Sequence, residues 1–216
     1  MCGFLGYFGN DKNILENLTE INSCSKSLEK RGPDASGTAV LNNIIIHHKR
    51  LSIIGLNELS NQPFGNNDSL LAFNGEIYNY KFLKKTLENK VNFKSDSDTE
   101  VLYWGLKFFG KKFIKNIEGM FSFAFYDSTK NYLILCRDRF GEKPLYFVQT
   151  KKGIFFASDI KSLLKYSKIN PEVEKENFIH YLAHGYYPQK ITPFKNIKKV
   201  YAGSYIEIMN NKINQN

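Results

Sequence analysis

The second residue of this chain is a cysteine, between Met1 and Gly3. A side chain as small as that of cysteine at position 2 normally permits removal of the initiator methionine. Cys2 would then carry both a thiol and a free α-amine, whose ordinary pKa of about 7.7–8.0 leaves a fraction neutral near pH 7. This arrangement is that of a nucleophile whose own chain end serves as general base. A cysteine at position 2 is weak evidence alone, so other residues must support it.

The dipeptide Asn74-Gly75 allows two interpretations. It lies between the apolar runs 70–73 and 76–78, and Asn-Gly in that setting is the strongest short signal for a type I′ hairpin turn. From the dipeptide alone we predict the turn. The alternative is an oxyanion hole, in which the Asn74 carboxamide and the Gly75 N–H both donate to a tetrahedral intermediate.

Three other positions carry side chains that can bind or react. Arg50 ends a predicted strand and can clamp a carboxylate bidentately, but a surface cation is the simpler interpretation. Asp98 begins a predicted helix, where helix capping is the simpler role. His180 and His184 have a spacing that can bind metal, but no third ligand stands at the expected place, so we predict no metal site.

The composition excludes several classes of protein. The net charge of +9 comes with lysine pairs dispersed among acidic and apolar residues, which is typical of a solvated surface and not of a nucleic-acid-binding face. No apolar run approaches the roughly 18 residues of a membrane span, and polar residues at 10–13 interrupt any secretory signal. The three cysteines show no CxxC spacing. We therefore expect a cytoplasmic protein without a disulfide framework.

The elements that must position these residues follow from hydrophobic periodicity. Apolar residues at helical spacing predict helices over 13–29, 80–89, 98–109, 159–165 and 174–184. Alternating or short apolar runs predict strands in hairpin-sized clusters, the last at 204–209. Because helices and strands do not alternate as in βαβ units, the pattern indicates an α+β layered architecture with antiparallel sheets.

Taken together, a set of motifs resembles a known family. They occur in the family's order at 1–3, 31–34, 50–53, 73–79, 97–100, 119–121 and 137–146, the last reading Arg137-Asp138-Arg139-Phe140-Gly141-Glu142-Lys143-Pro144-Leu145-Tyr146. This set resembles the class II, or N-terminal-nucleophile, glutamine amidotransferase domain of glutamine-hydrolysing asparagine synthetases. The family fold is a four-layer αββα sandwich of two antiparallel sheets.

The resemblance implies a role for each candidate residue. Cys2 attacks the carboxamide of L-glutamine to form a thioester, while Asn74 and the Gly75 N–H hold the oxyanion. Arg50 pairs with the substrate α-carboxylate, and Asp98 pairs with its α-ammonium group. The remaining pocket residues it implies are Leu51, Ser52, Ile53, Ile54 and Glu76. A zwitterionic substrate does need one fixed cation and one fixed anion, as this set provides.

The resemblance also sets the expected domain organisation. Residues 1–205 match the glutaminase domain, and residues 206–216 are expected to be a tail or the start of a linker to a synthetase domain absent from this chain. That synthetase domain would be the partner that uses ATP and magnesium. In this chain itself we expect none of these cofactors. A homodimer is left open. The alternatives are a non-catalytic glutamine-sensing or docking module, or the glutaminase half of an amidotransferase acting on a sugar or another metabolite.

Overall fold

The computed structural model describes residues 1–188, 191–209 and 212–215. The first of its two antiparallel sheets has β1, the strand that follows Cys2, between two neighbours. Phe4 pairs with His48 on one side, and Leu5 pairs with Ala157 on the other. In spatial order the strands are β10 (Lys198–Lys199), β8 (Tyr146–Thr150), β9 (Gly153–Ala157), β1 (Gly3–Gly9), β3 (Ile44–Arg50) and β2 (Ala35–Leu41).

The second antiparallel sheet contains the strand that carries Asn74, next to the edge strand β4 (Phe64–Asn66). Asn74 pairs with Ser122, and Ser122 in turn pairs with Arg137 on the next strand. In spatial order the strands are β12 (Lys212–Gln215), β11 (Tyr205–Met209), β7 (Tyr132–Arg137), β6 (Gly119–Asp127), β5 (Ser69–Ile77) and β4 (Phe64–Asn66).

Three apolar layers hold the sheets and helices together. Side chains from the facing sides of both sheets, such as Phe4 and Ala72, form the middle layer. The outer face of the first sheet packs against helices, and so does the outer face of the second. Successive strand side chains point to opposite faces, so strands buried on both sides need apolar residues throughout. The predicted four-layer αββα sandwich is confirmed.

Four of the helices form the two outer layers, whereas α6 (Lys175–His184) has no buried residue. Helices α2 and α5 cover the first sheet, and α3 and α4 cover the second. Their bounds are α1 (Lys12–Leu15), α2 (Leu18–Cys24), α3 (Tyr80–Leu87), α4 (Asp98–Phe109), α5 (Ile160–Ser167) and α6 (Lys175–His184). Short 3₁₀ helices lie at Ser25–Leu28, Glu58–Ser60 and Gly110–Asn116. Among the described residues, no helix is both long and apolar enough to cross a membrane.

The single helix predicted over 13–29 is wrong in its extent. The segment instead forms α1, α2 and a 3₁₀ turn. The Asn17 side chain accepts a hydrogen bond from the Glu20 N–H at 3.0 Å and so starts a new helix inside the apolar pattern. Asparagine competes with helix continuation because its side chain can replace a backbone acceptor.

The predicted domain boundary at residue 205 is too early. Ile206 and Ile208 are fully buried in the middle apolar layer, and their strand β11 pairs with β7. Residues Lys212–Gln215, expected in the tail, pair with β11 as an edge strand. Their polar composition suits an edge, where one side of the strand faces solvent. Positions 210, 211 and 216 of the predicted tail lie outside the described residues.

Candidate active site

One pocket collects the candidate residues from both sheets. Cys2 stands directly before β1, and Arg50 ends β3 in the same sheet, whereas Asn74 comes from β5 of the other sheet and Asp98 from α4. The residues lining the pocket are Met1, Cys2, Arg50, Leu51, Ile53, Ile54, Gln62, Phe73, Asn74, Gly75, Glu76, Asp98, Thr99, Met120 and Lys143. Ser52 does not line it; its N–H donates to Asp34 Oδ2 at 2.7 Å.

The Cys2 thiol is held by the backbone of Leu51. The Leu51 N–H donates to Cys2 Sγ at 3.3 Å, and the thiol in turn lies 3.6 Å from the Leu51 carbonyl oxygen. Burial raises the pKa of the Cys2 thiol above its ordinary value, while the Leu51 hydrogen bond and the positive charges of the chain end and Arg50 act in the opposite direction. The thiol is therefore protonated at neutral pH and needs a base to become a nucleophile.

Asn74 lies inside strand β5, so the predicted hairpin turn is wrong. The strand runs without a break from Ser69 to Ile77 and pairs with β6 along its whole length. Pairing with β6 therefore decides the conformation here, against the local preference of Asn-Gly. The Asn74 side chain is fully buried, and neither Oδ1 nor Nδ2 has a hydrogen-bond partner in the structure. A buried carboxamide without a partner is costly unless a ligand completes it.

Gly75 is required by its close approach to β6. Its φ is +157°, and a Cβ at this position would lie 2.1 Å from the Met120 carbonyl oxygen and 2.6 Å from Phe121 Cα.

The strand before Gly75 is held from the other sheet, where buried His48 donates from Nε2 to the Phe73 carbonyl oxygen at 3.0 Å. Burial lowers the pKa of His48 to about 3, so this histidine is neutral.

Arg50 is buried, and its two terminal nitrogens hold the loop that follows β3. Nη1 donates to the Asn57 carbonyl oxygen at 3.1 Å and to Asn61 Oδ1 at 2.9 Å. Nη2 donates to the carbonyl oxygens of Ile54, at 3.2 Å, and Gly55. The sequence does not predict that Arg50 binds this loop, because most of the acceptors are backbone atoms, which every residue has.

Asp98 does not cap its helix, contrary to the simpler interpretation of its sequence position. Ser97 is the N-cap, and its Oγ accepts from the Thr99 N–H at 3.0 Å. Asp98 Oδ2 instead accepts from the Ile77 N–H at 3.0 Å. Burial raises the pKa of Asp98 to about 6, and the negative charge of Glu76 adds to this effect. A buried carboxylate thus lies in the pocket and can pair with a cationic group of a ligand.

Several pocket residues were not among the candidates from sequence. Gln62 supports the strand, because its Oε1 accepts from the Phe73 N–H at 2.6 Å. Met120 lies beside Gly75 through strand pairing. Lys143 is buried and reaches the pocket from the loop 138–144. Lys143 lies within a motif that carries the family resemblance, but the motif gave no reason to place its side chain in the pocket.

Comparison with known sequences identifies a family for this chain. The family model described as "Glutamine amidotransferase domain" matches residues 1–216. "Asparagine synthetase [glutamine-hydrolyzing] 1" of Bacillus subtilis is 34% identical over 215 residues, which cover 96% of this chain and 33% of that protein. "Asparagine synthetase B [glutamine-hydrolyzing]" of Escherichia coli is 35% identical over 167 residues, covering 76% of this chain and 30% of that protein. The chain thus spans about a third of the length of these two relatives.

A solved structure shows the same fold. The glutamine phosphoribosylpyrophosphate amidotransferase from B. subtilis, solved with ADP and GMP, superposes with a TM-score of 0.71 at 18% identity. The match covers all of this chain and 49% of that one, which supports the two-sheet architecture alone. The family model adds to the fold, because it matches the sequence over residues 1–216. The chain therefore belongs to the glutamine amidotransferase domain family, and its homologues include glutamine-hydrolysing asparagine synthetases.

Proposed function

We propose that this chain hydrolyses L-glutamine to glutamate and ammonia, with Cys2 as the nucleophile. The observation that carries the proposal is the buried Asn74 carboxamide, which has no hydrogen-bond partner and lines the same pocket as the Cys2 thiol. A donor fixed beside a nucleophile and left without a protein acceptor suits charge that develops only during acyl transfer.

The proposed reaction has two halves. In the first, the α-amine of Cys2, free after loss of Met1, accepts the thiol proton as Sγ bonds to the amide carbon; Asn74 Nδ2 and the Gly75 N–H donate to the oxyanion. Collapse of this intermediate breaks the C–N bond, and the protonated amine returns the proton to the leaving ammonia. In the second half, water adds to the γ-glutamyl thioester and gives up a proton to the same amine. Breaking of the C–S bond then releases glutamate and restores the thiol.

Two charged side chains are proposed to bind the α-carbon end of glutamine. Asp98 takes the α-ammonium group, because its carboxylate is buried in the pocket and accepts from Ile77. Arg50 takes the α-carboxylate, but its terminal nitrogens already donate to the loop 54–61. Substrate binding by Arg50 therefore requires some of these loop hydrogen bonds to be exchanged for the carboxylate. Leu51, Ile53, Ile54 and Glu76 complete the pocket.

The fate of the ammonia is the second part of the proposal. The relatives named as asparagine synthetases extend well beyond the matched region. We propose that the ammonia serves an ATP-dependent synthetase domain or subunit, and that hydrolysis itself needs neither metal nor cofactor. This chain alone should then release glutamate from glutamine without ATP or aspartate, and should form no asparagine.

The test is glutamate release by variants of the cysteines. Cys2→Ala should abolish release, whereas Cys24→Ala, which changes a buried thiol in the layer beneath α2 and α5, should keep the rate within a small factor. A matched pair of proteins with and without Met1, verified by intact mass, tests the base. With Met1 attached, the nearest nitrogen is an amide that accepts no proton, so that form should be inactive. If glutamine binds but no variant or form releases glutamate, the chain is a non-catalytic glutamine-sensing module.

A further inference from the structure

Lys143 is a buried cation in the pocket without an anionic partner. The residue is only 6% exposed, and it forms no ion pair among the described residues. Its Nζ instead donates to the thioether of Met1, at 3.3 Å from Sδ. A thioether is a weak acceptor, so this contact leaves the ammonium charge uncompensated. Burying an unpaired charge costs free energy, and such groups concentrate at functional sites.

Hydrogen bonds hold the backbone of the loop that carries Lys143. The buried carboxylate of Asp138 accepts four backbone N–H groups, those of Phe121, Phe140, Glu142 and Lys143, at 3.0–3.2 Å. Arg137 Nε donates to the Lys143 carbonyl oxygen at 2.7 Å. The backbone of Lys143 is thus fixed at both its N–H and its carbonyl, and from this position its side chain reaches Met1 at the chain end.

The position of the ammonium group bears on the chain-terminal amine. Met1, which Lys143 contacts, is the residue whose removal would leave the α-amine on Cys2. In this structure the pKa of the Met1 amine is lowered, first by burial and then by Arg31 and Lys143, whereas Cys2 and Asp34 raise it. Nearby like charge disfavours the protonated amine, because both groups would then be positive. The charged and titratable groups that face the chain end or the Cys2 thiol are Arg31, Asp34, Arg50, Asp98 and Lys143.

We propose that Lys143 is a positioning residue for the general base: its fixed ammonium group keeps the α-amine of Cys2 neutral and able to accept a proton near pH 7. The role in catalysis rests on the proposed glutaminase function, but the effect on the amine does not. Lys143 need not touch glutamine, since it acts through the charge of its Nζ. The sequence supplies this charge on a loop far from Cys2 along the chain, and the fold brings the two into one pocket.

The direct test measures the pKa of the Cys2 α-amine without any substrate. Protein lacking Met1 is labelled with [13C]cysteine, and the Cys2 Cα signal is titrated by NMR; the signals of buried Cys24 and Cys136 serve as internal references for intact folding. Lys143→Met removes the charge but keeps the length of the side chain. The amine in this variant should titrate roughly 0.5–1 pH unit higher than in wild type. Lys143→Arg should stay close to wild type, because it keeps the charge.

A matched control and a second neutral variant make the outcome decisive. Lys199→Met removes a half-buried lysine outside the pocket, whose Nζ donates to the Tyr187 carbonyl oxygen, and should leave the amine unchanged. Lys143→Gln replaces Lys143→Met if that variant does not fold. In Lys143→Met, the acid limb of the pH profile of kcat/KM for glutamine should shift to higher pH together with the pKa of the amine. Activity should then fall about 3–10-fold near pH 7 and change little at high pH.

The possible results separate the two proposals. An amine that titrates at the same pH in wild type and in the folded neutral variant overturns the role of Lys143. If the pKa of the amine shifts as expected but the protein releases no glutamate, the effect of Lys143 on the chain end is retained and the proposed glutaminase function is overturned. A kcat/KM that falls equally at every pH, without a shift of the amine, assigns Lys143 a merely structural role and also overturns the proposal.

Discussion

Asp98 Oδ2 accepts a hydrogen bond from the Ile77 N–H at 3.0 Å, and this contact joins the first turn of helix α4 to the strand that carries Asn74 and Gly75. The carboxylate that is proposed to bind the substrate amine therefore also fixes the strand of the proposed oxyanion hole. Its environment is buried, and burial raises its pKa to about 6. The substrate-binding role proposed for Asp98 would thus come at the expense of stability.

This conflict predicts opposite effects of Asp98→Asn on stability and on activity. A native pKa of about 6 against an ordinary 3.8 means that the folded protein binds the extra proton between these values, so stability falls as pH rises through this window. The loss is about 3 kcal/mol by linkage, complete above pH 6. Asparagine keeps an acceptor for Ile77, so the variant should lose this pH dependence while KM for glutamine rises sharply. Urea unfolding from pH 4 to 7 measures the first effect, and an unchanged pH profile would contradict it.

Asn74→Ala should lower kcat by roughly 10²–10³ and leave KM much less affected, because the carboxamide acts on charge that is present only in the transition state. Its side chain forms no hydrogen bond in the structure, so the free energy of unfolding should change little. Asn79→Ala is the matched control: Asn79 donates to the Asn116 carbonyl oxygen and accepts from the Glu118 N–H, outside the pocket. That variant should lose stability and keep kcat. The reverse pattern would assign Asn74 a structural role.

Gly75→Ala should destabilise the protein by roughly 1–3 kcal/mol and abolish turnover, because the added Cβ would push β5 away from β6. Gly110→Ala separates the clash from backbone strain. Gly110 also has a positive φ, of +56°, but its Cβ would meet nothing within 4 Å. Thermal unfolding and glutamate release are measured for both. Equal destabilisation of the two variants would contradict a role for the close approach to Met120.

Arg50→Lys should loosen the loop 54–61 even without substrate, because a lysine cannot reproduce the forked donors that reach Asn57, Asn61, Ile54 and Gly55. Amide hydrogen exchange in 51–61 should rise, and KM for glutamine should increase more than kcat falls. Asn61→Ala removes one acceptor and keeps the guanidinium group, so it should raise exchange modestly and preserve most of the affinity. Unchanged exchange in Arg50→Lys would show that the loop holds itself.

Part of the fold was predictable because its signals are local. The helix predicted over 98–109 begins and ends where α4 does, because a serine cap precedes it and a glycine follows it. The turn at Asn74-Gly75 was wrong because pairing with β6 outweighs a dipeptide preference. The end of the packed domain was misplaced because Ile206 and Ile208 are buried by strands that lie far away in sequence.

The candidate site, like the fold, was predictable only in part. Motif order located most of the residues that line the pocket. It did not show that Arg50 holds a loop or that Lys143 reaches the chain end, because these depend on backbone acceptors and on the path of a distant loop. Ser52 was included by its place in a run of candidates, yet its N–H serves Asp34.

Cys2, the proposed nucleophile, and the proposed oxyanion donors stand on different sheets, and the middle apolar layer, together with the hydrogen bond from His48 to Phe73, sets the distance between them. Turnover should therefore depend on how well the two sheets stay in register across an interface that no disulfide bond joins in the described residues. A partly denatured state that keeps both sheets but loosens this layer should show native far-ultraviolet circular dichroism and no activity. Heating or mild acid should thus inactivate the site before the secondary structure melts, and substitutions of Phe4 or Ala72, which belong to this layer and do not line the pocket, should lower activity.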